Sequence, residues 1–477
     1  MPPGGGSANK TPLHIGSPLA DSSRMDPATA ATAETSALER LRAWVVTADM
    51  GFGHQRAAHS LGHIAEGGVL TAGSPDTTDS EEARFWQQML WSYDALSRVK
   101  GVPIVGGAMF SALDAMLHIP PFYPLRDLSN PGPNNHIMDH FIRQGLGRGL
   151  VERLRSNALP MISTFYAPSL IADHAGVEAN YSVICDADLN RVWVATSAKK
   201  SRIRYFAPCG RAMRRLKQYG VPDDRIFITG FTLPRENIGG PDMETLKADL
   251  MARLGRLDPD GRFLGVYGST VRELLGGTPN PSGGKERVTV TFAVGGAGAQ
   301  TEIALVLMEA LKPGILDGRF RLVLVAGVNR LVEKVFREFA LRDGLAAAIG
   351  DGLLIVREEN KRAYFDRFNA LMRETDILWT KPSELSFYSA LGIPIVMAPP
   401  IGSQENKNTR WLMDKGCAMP QYTPRLALEW LTDMMKDGVL AEKAMSGFIK
   451  NRKLGVFKIE EVLATGAMGR ETHPLRR

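Results

Sequence analysis

The sequence predicts an α/β protein with two Rossmann-like halves that face each other across a cleft. Short apolar runs rich in Val and Ile alternate with helical segments, which is typical of parallel sheets covered by helices on both faces. The runs fall into two series, and Pro and Gly cluster between them in residues 231–243. At 477 residues the chain is also long enough for two domains.

Each series of apolar runs is predicted to supply one sheet. The first comprises AWVVTA from Ala43, PMIST from Pro160, YSVICD from Tyr181, RVWVAT from Arg191 and RIFITG from Arg225. The second comprises FLGVYG from Phe263, RVTVTFAVGG from Arg287, FRLVLVAG from Phe320, GLLIVR from Gly352, DILWT from Asp376 and IPIVMAP from Ile393. Helical apolar spacing in residues 301–312 and 331–349 predicts two of the covering helices.

Composition predicts how the chain is divided. Residues 1–38 are rich in Gly, Pro, Ser and Ala, which predicts a disordered tail. Residues 39–237 then form the N-terminal Rossmann-like domain, and residues 238–477 form the C-terminal domain with further helices at its end.

The bulk composition narrows the class of protein. Three cysteines without a CxxC pair argue against a disulfide framework and indicate a reducing compartment. No apolar stretch is long enough for a membrane span, and the first residues lack the pattern of a signal peptide, so we expect a cytoplasmic protein. The net charge of +6 is compatible with phosphate ligands or an anionic membrane surface.

Two glycine-rich turns follow predicted strands. The turn TADMGFGHQRAAHSL contains Gly51, Gly53 and His54, and the loop AVGGAGAQTEIAL contains Gly295, Gly296 and Gly298. Glycines let a backbone approach a phosphate closely, and a helix amino terminus favours negative charge there. Either turn is equally explained as a tight corner between a strand and a helix.

Polar residues also follow predicted strands. Asp186 and Asp188 end the strand-like run YSVICDAD, where they could act as a base, bind a sugar or cap a turn. Because ligands bind beyond the carboxyl ends of strands, residues after the last two predicted strands could bind hydroxyl groups. These residues are Ser383, Glu384, Gln404, Glu405 and Asn408, and an acidic first turn of a helix is the alternative explanation.

The basic segment at residues 199–217 favours an anionic membrane surface over nucleic acid, because it contains no repeated aromatic residues and no nucleic-acid motif. The apolar segments FWQQMLWSYDAL and GAMFSALDAMLHIPPFYPL are predicted to pack in the core or, if exposed, to dock at a bilayer. Histidines four apart, at His59 and His63 and at His136 and His140, have no evident third ligand, so no metal site is predicted.

Taken in order, these motifs resemble those of the monogalactosyldiacylglycerol synthases and of the N-acetylglucosaminyltransferase that acts on peptidoglycan lipid precursors. GFGHQRAA resembles their opening glycine–glycine–histidine turn, and YSVICDADLN resembles a strand end in the same domain. YFAPCGRAMRRLKQYGVPDDRIFITGFTLP is similar to the segment that closes their first domain, and GGAGAQ to their glycine-rich loop. TKPSE, followed by GIPIVMAPPIGSQENKN, is similar to their donor-site stretch, and residues 65–155 form an expanded, dissimilar insertion.

This resemblance implies a GT-B fold, with an N-terminal acceptor domain and a C-terminal domain that binds a nucleotide sugar. It implies a metal-independent reaction without a cofactor, in which a UDP-sugar is the expected donor substrate. His54 would act as a base or contact the transition state, and Gly51 and Gly53 would lie near the donor phosphate. Gln404 and Glu405 would meet the sugar, with Asn408 nearby.

One departure from the family concerns the ribose. The family's ribose-binding glutamate lies five residues before the glycine of its G-x-P sequence, and Phe387 occupies that position here. The resemblance therefore leaves two alternatives: Glu384 binds the ribose, or the nucleotide is held differently.

The leading hypothesis is sugar transfer from a nucleoside diphosphate to an acceptor hydroxyl, with His54, Asp186 or Asp188 as the base and residues 295–298 beside the departing diphosphate. The basic charge and the apolar insertion favour a lipid-linked acceptor at the inner face of a membrane. The alternatives are a nucleotide-sugar 2-epimerase and a non-catalytic protein that binds a nucleotide or a lipid.

Overall fold

The computed structural model describes residues 41–78, 82–86, 118–284, 286–293 and 300–476, and within them it contains two six-stranded sheets. The first sheet has the order β2-β1-β3-β4-β5-β6. Its strands are β1 (Trp44–Ala48), β2 (Leu70–Ala72), β3 (Met161–Ser163), β4 (Asn180–Val183), β5 (Arg204–Phe206) and β6 (Ile226–Phe227). Every neighbouring pair is parallel.

The second sheet has the order β12-β11-β10-β7-β8-β9, and it is also parallel throughout. Its strands are β7 (Val288–Ala293), β8 (Phe320–Gly327), β9 (Leu353–Arg357), β10 (Ile377–Thr380), β11 (Ile395–Met397) and β12 (Ala418–Pro420). Every residue of β1 and β7 is buried, as expected for strands covered on both faces.

Helices connect the parallel strands in both sheets. In the first half, defined as the first sheet with its helices, they are α1 (Phe52–His59), α2 (Pro133–Arg143), α3 (Arg148–Arg155), α4 (Tyr166–His174) and α5 (Gly210–Gln218). Along the chain between β6 and β7 come α6 (Arg235–Ile238), α7 (Glu244–Leu257) and α8 (Arg262–Leu275). The second half contains α9 (Thr301–Leu316), α10 (Arg330–Arg342), α11 (Lys361–Glu374), α12 (Ser403–Lys415), α13 (Ala427–Lys436), α14 (Val439–Lys450) and α15 (Gly455–Thr465).

This architecture confirms the predicted α/β class and its two Rossmann-like halves, the arrangement of the GT-B fold. The first sheet ends at β6 and the second begins at β7, so residues 228–287 connect them. The boundary at residues 237 and 238 and the insertion at residues 65–155 stay predictions. The predicted tail at residues 1–38 lies outside the described residues, as does most of FWQQMLWSYDAL and GAMFSALDAML.

Two predicted strands are wrong. FLGVYG lies within α8, because the Asp258 carboxylate accepts the backbone N–H groups of Phe263 at 3.0 Å and Leu264 at 2.8 Å and so caps the start of a helix. RVWVAT begins with a 3-10 turn at Arg191–Trp193, because the Asn190 side chain accepts the N–H of Val192 at 2.9 Å.

None of the helices in the described part of the chain is both long enough and apolar enough to cross a bilayer.

Candidate functional site

Each sheet has a topological switch point, where the connections on the two sides of one strand run in opposite directions across the sheet. In the first half, β1 lies between β2 and β3, and in the second half β7 lies between β8 and β10. The crevice beyond the carboxyl ends of such strands is where doubly wound sheets bind ligands. The segments that follow these strands are residues 49–54 after β1, Thr164 and Phe165 after β3, residues 294–300 after β7, and residues 381–384 after β10.

His54 lies in the first turn of α1 and contacts the end of β3. Its Nδ1 is 2.7 Å from the backbone oxygen of Thr164, and its half-buried ring packs against Phe165 and Trp193, with centroids 5.1 and 5.9 Å away. A carbonyl oxygen only accepts hydrogen bonds, so Nδ1 carries the proton and Nε2 is the basic nitrogen of the neutral ring. Burial lowers the pKa of His54, although the Thr164 carbonyl and Glu384 act in the opposite direction. The imidazole is therefore neutral at pH 7.

The two glycines before His54 have different roles in the structure. Gly51 is exposed and has a φ of 95°, in the region that favours glycine, just before α1 begins. A Cβ atom at Gly53 would lie 3.0 Å from Oε2 of Glu384, in the second half. A side chain at Gly53 would therefore crowd Glu384, and this close approach of the two halves explains the glycine without a phosphate.

Glu384 is bound to the first half. It begins the short 3-10 helix Glu384–Leu391 after β10, and its Oε1 is 3.3 Å from Nε of the buried Arg56. Local sequence patterns do not predict this pair, since 328 residues separate its members.

Asp186 is connected to the second half through Asn408. The Asn408 side chain donates from Nδ2 to Oδ1 of Asp186 at 2.8 Å and accepts the backbone N–H of Ala187 at 2.8 Å. Burial raises the pKa of Asp186 to about 6, and the carboxylates of Glu384 and Glu405 act in the same direction. The Asn408 hydrogen bond and Lys381 partly oppose this rise.

Asp188 has a different environment from Asp186. It is fully buried, and Arg215 donates to its two oxygens from Nε at 2.6 Å and from Nη2 at 3.0 Å. Arg211 adds a third contact, from Nε at 3.3 Å. These bonds hold α5 against the loop after β4, and so they explain Asp188 without a catalytic role.

The segment around the start of α12 is held in place by Glu405. Its Oε1 accepts from Nζ of Lys381 at 2.6 Å, and its Oε2 accepts the backbone N–H of Ile401 at 2.6 Å. Ser383 and Gln404 are half-buried in the same region, whereas Asn408 is fully buried. The structure therefore brings Ser383, Glu384, Gln404, Glu405 and Asn408 to the segments that follow β10 and β11, and Asn408 bonds to Asp186 of the first half.

Gly295, Gly296 and Gly298 lie outside the described residues. The described chain resumes at Gln300, whose Nε2 donates to the backbone oxygen of Pro399 at 2.7 Å, and α9 begins at the next residue.

Phe387, at the position of the family's ribose-binding glutamate, belongs to the packing between the halves. It is buried, stacks on Phe231 with centroids 5.1 Å apart, and packs against Trp411 at 5.0 Å. Phe387 has no carboxylate and Glu384 is paired with Arg56, so neither residue offers an unpaired carboxylate to a ribose.

The histidines spaced four apart at His59 and His63 contact carboxylates. His59 Nε2 lies 2.9 Å from Asp366 of α11, and His63 Nε2 lies 2.5 Å from Glu460 of α15. Across the described ranges, no group of three or more His, Cys, Asp and Glu side chains is placed to hold a metal ion.

Comparison with known proteins gives relatives at low identity. A family model described as Domain of unknown function (DUF6938) matches residues 334–462. The chain is 23% identical over 283 residues to the processive diacylglycerol beta-glucosyltransferase of Bacillus subtilis (strain 168), which covers 59% of this chain and 60% of that protein. It is 21% identical over 313 residues to the protein of the same name from Bacillus licheniformis, which covers 65% of this chain and 66% of the relative.

The chain thus spans less than two thirds of the length of these curated relatives. Among solved structures, the UDP-GlcNAc 2-epimerase from Neisseria meningitidis bound to UDP-GlcNAc is 14% identical with a TM-score of 0.45, over 89% of this chain and 99% of that one. The matches to the Bacillus proteins confirm the predicted resemblance to glycosyltransferases.

Proposed function

We propose that this protein is a glycosyltransferase that moves a sugar from a nucleoside diphosphate to an acceptor hydroxyl. The observation that carries the proposal is the geometry of His54, whose Nδ1–H is fixed on the Thr164 carbonyl at 2.7 Å. This leaves Nε2 as a base at the ligand-binding edge of the first sheet, beside Glu384 of the second half. The similarity to diacylglycerol beta-glucosyltransferases supports the same reaction class.

In the proposed reaction, the acceptor oxygen forms a bond to the anomeric carbon of the sugar, and Nε2 of His54 takes the hydroxyl proton. The bond between that carbon and the diphosphate breaks, and the diphosphate leaves with the electron pair. The glycine loop with Gly295, Gly296 and Gly298, which precedes the amino terminus of α9, would stabilise this negative charge. Gly51 and Gly53 would lie near the same phosphates.

Side chains at the start of α12 would hold the sugar. Gln404 and Glu405, near the start of this helix, would form hydrogen bonds to the sugar's hydroxyl groups, with Ser383 and Asn408 in the same region. Asp186 is the second candidate base, because its raised pKa of about 6 keeps it ready to exchange a proton near neutral pH. We leave Asp188 out of the mechanism because two arginines bind its carboxylate.

We infer that the acceptor is a lipid hydroxyl at a membrane surface. Tyr123 and Leu125 are each 64% exposed on the loop before α2. The guanidinium groups of Arg211 and Arg214, on α5, lie 4.9 and 5.6 Å from the ring of the adjacent Phe122. An exposed apolar tip next to cations fits an anionic bilayer, and the relatives' names specify a diacylglycerol. A cytoplasmic, peripheral location follows from this inference.

A second candidate function is a non-catalytic protein that binds a nucleotide or a lipid. The specific observation in its favour is that Phe387 replaces the family's ribose-binding glutamate in the packing between the halves, while Glu384 is paired with Arg56.

The two functions are separated by incubating the purified full chain with UDP-sugars and diacylglycerol-containing vesicles. Glycolipid formation is expected, and His54→Ala should reduce kcat by about 10²- to 10⁴-fold while the chain stays folded and still binds the donor. Exposed His136 provides the matched control, since His136→Ala should keep full activity. Donor binding without turnover would favour the non-catalytic protein. Epimerised sugar formed without an acceptor would show that the protein is a 2-epimerase and not a transferase.

A further inference from the structure

Arg56 lies in α1 two residues after His54 and is buried against the second half, with 1% of its surface exposed. Its guanidinium carbon lies 4.1 Å from the ring centroid of Phe368, and Nη2 donates to the hydroxyl of Tyr364 at 2.9 Å. Nε faces Oε1 of Glu384 at 3.3 Å. An arginine buried among aromatic rings needs a negative partner, because desolvation of an unpaired charge costs several kcal/mol.

Glu384 connects this arginine to His54. Its other oxygen, Oε2, would lie 3.0 Å from a Cβ atom at Gly53, the residue directly before His54. The groups that face His54 from the first half are the Thr164 carbonyl and the rings of Phe165 and Trp193, none of which carries a charge. From the second half, the charged group acting on His54 is Glu384.

We propose that Arg56 is a positioning residue, which fixes the Glu384 carboxylate against Gly53 and offsets its charge so that His54 stays a neutral base. The proposal rests on the proposed function only where it treats His54 as the base of the sugar transfer. The relevant contacts join α1 to the segment after β10, so the pair also sets how the two ligand-binding edges meet. Glu384 also acts on Asp186, whose pKa it raises.

Variants of the pair should move the protonation of His54 in opposite directions. Glu384→Gln removes a negative charge beside His54, so the imidazolium loses stabilisation and the pKa of His54 falls. Arg56→Met leaves Glu384 without its cation. The negative charge beside His54 is then no longer offset, so the pKa of His54 rises. Each change should alter the ratio of protonated to neutral His54 by about tenfold at a given pH.

The measurement is an NMR titration of ¹³C-labelled histidine in the full chain, with His54→Gln to assign the resonance. It needs no turnover, so its result is independent of whether the protein transfers a sugar. Arg56→Lys keeps the positive charge and should titrate like the unmodified protein even if its melting temperature falls. The signal of exposed His136 should stay unchanged in every variant and so report an intact fold.

The double variant Arg56→Met/Glu384→Gln removes both charges and should bring the titration of His54 back toward that of the unmodified protein. A purely structural role predicts something else, namely that both single variants lower the melting temperature and leave the titration where it was. That result would overturn the proposal, as would a shift in the same direction in both single variants.

Discussion

Asp186 is the residue at which the demands of folding and of the site conflict most clearly. Its carboxyl group is half-buried beside two other carboxylates, Glu384 and Glu405, and a single amide from Asn408 donates to it. Asp188, two residues later, is fully buried but held by two guanidinium groups. A carboxylate left in such unfavourable surroundings is typical of functional positions.

This conflict predicts that Asp186→Asn stabilises the protein at neutral pH. The folded-state pKa of about 6 lies above the ordinary value of 3.8, so ionisation destabilises the fold as pH rises from about 4 to 6 and the full effect persists above that range. Asparagine avoids the charge and still accepts the Asn408 hydrogen bond. Urea unfolding at pH 7.5 should show a gain of about 1 to 3 kcal/mol, and unfolding at pH 4 should show none.

Asp188→Asn is the matched control for this prediction. It leaves the buried Arg215 without its carboxylate, so it should lose about 3 to 5 kcal/mol at pH 7.5. If Asp186→Asn were also less stable at pH 7.5, the conclusion that ionised Asp186 destabilises the fold would be wrong.

The sequence predicts candidate residues at strand ends better than it predicts their partners. Asp186 follows a strand, and His54 and Asn408 lie in the first two turns of a helix that follows one. Parallel topology brings such ends to the same edge of a sheet. The sequence does not predict the role of Arg56, because a cation in a short helix is ordinarily solvent-exposed and its partners Tyr364 and Glu384 lie about three hundred residues away. Such pairings are fixed by the packing of the two halves and not by local sequence.

At the scale of elements, the long buried strands and long helices are predictable, whereas several of the short strands are not. β7 and β8 are long strands rich in Val and Leu, and their predicted positions are confirmed. β2, β5 and β12 have three residues each, too few for a periodic pattern, and they gain stability from neighbouring strands. FLGVYG forms part of α8 because a carboxylate outside the apolar run caps its first turn.

The loop before α2 and the basic helix α5 together carry the next prediction. We expect the protein to sediment with vesicles that contain anionic lipid and to bind neutral phosphatidylcholine vesicles weakly. Tyr123→Ser with Leu125→Ser should reduce binding at least tenfold, because two apolar side chains no longer enter the bilayer. Arg214→Glu should weaken binding and lessen its sensitivity to salt.

Val266 and Tyr267 on α8 provide a matched control, since they are 71% and 50% exposed on another helix. Changing both to serine should leave vesicle binding unaltered. Equal loss in the two pairs, or equal binding to neutral and anionic vesicles, would show that this loop is not the membrane contact.

At the scale of the whole molecule, polar contacts join the halves at several places. Arg56 pairs with Glu384, Asn408 bonds to Asp186 and Ala187, and Lys361 pairs with Asp49 at 2.7 Å. The chain also returns to the first half near its end, since Glu460 of α15 binds both His63 and Arg235. The relation between the halves is therefore set by side chains far apart in sequence. This explains why the sequence predicts the two halves but not the contacts between them.

Glu460 tests how far this last contact supports the molecule. Burial alone would raise the pKa of Glu460, but hydrogen bonds from His63 and Arg235 outweigh it and hold the pKa below its usual value. The ionised carboxylate therefore adds stability above about pH 4.5 that is lost as pH falls through the lower, folded-state pKa.

Glu460→Gln should accordingly lower the free energy of unfolding by about 1 to 3 kcal/mol at pH 7, and the difference from the unmodified protein should shrink as the pH falls below about 4. Thermal unfolding at a series of pH values measures both effects. Glu338, which is 64% exposed and 3.7 Å from Lys334, is the control, and Glu338→Gln should change stability by less than about 0.5 kcal/mol. A Glu460 effect as small as this one, or one independent of pH, would mean that α15 is held to the first half by apolar packing and not by its carboxylate.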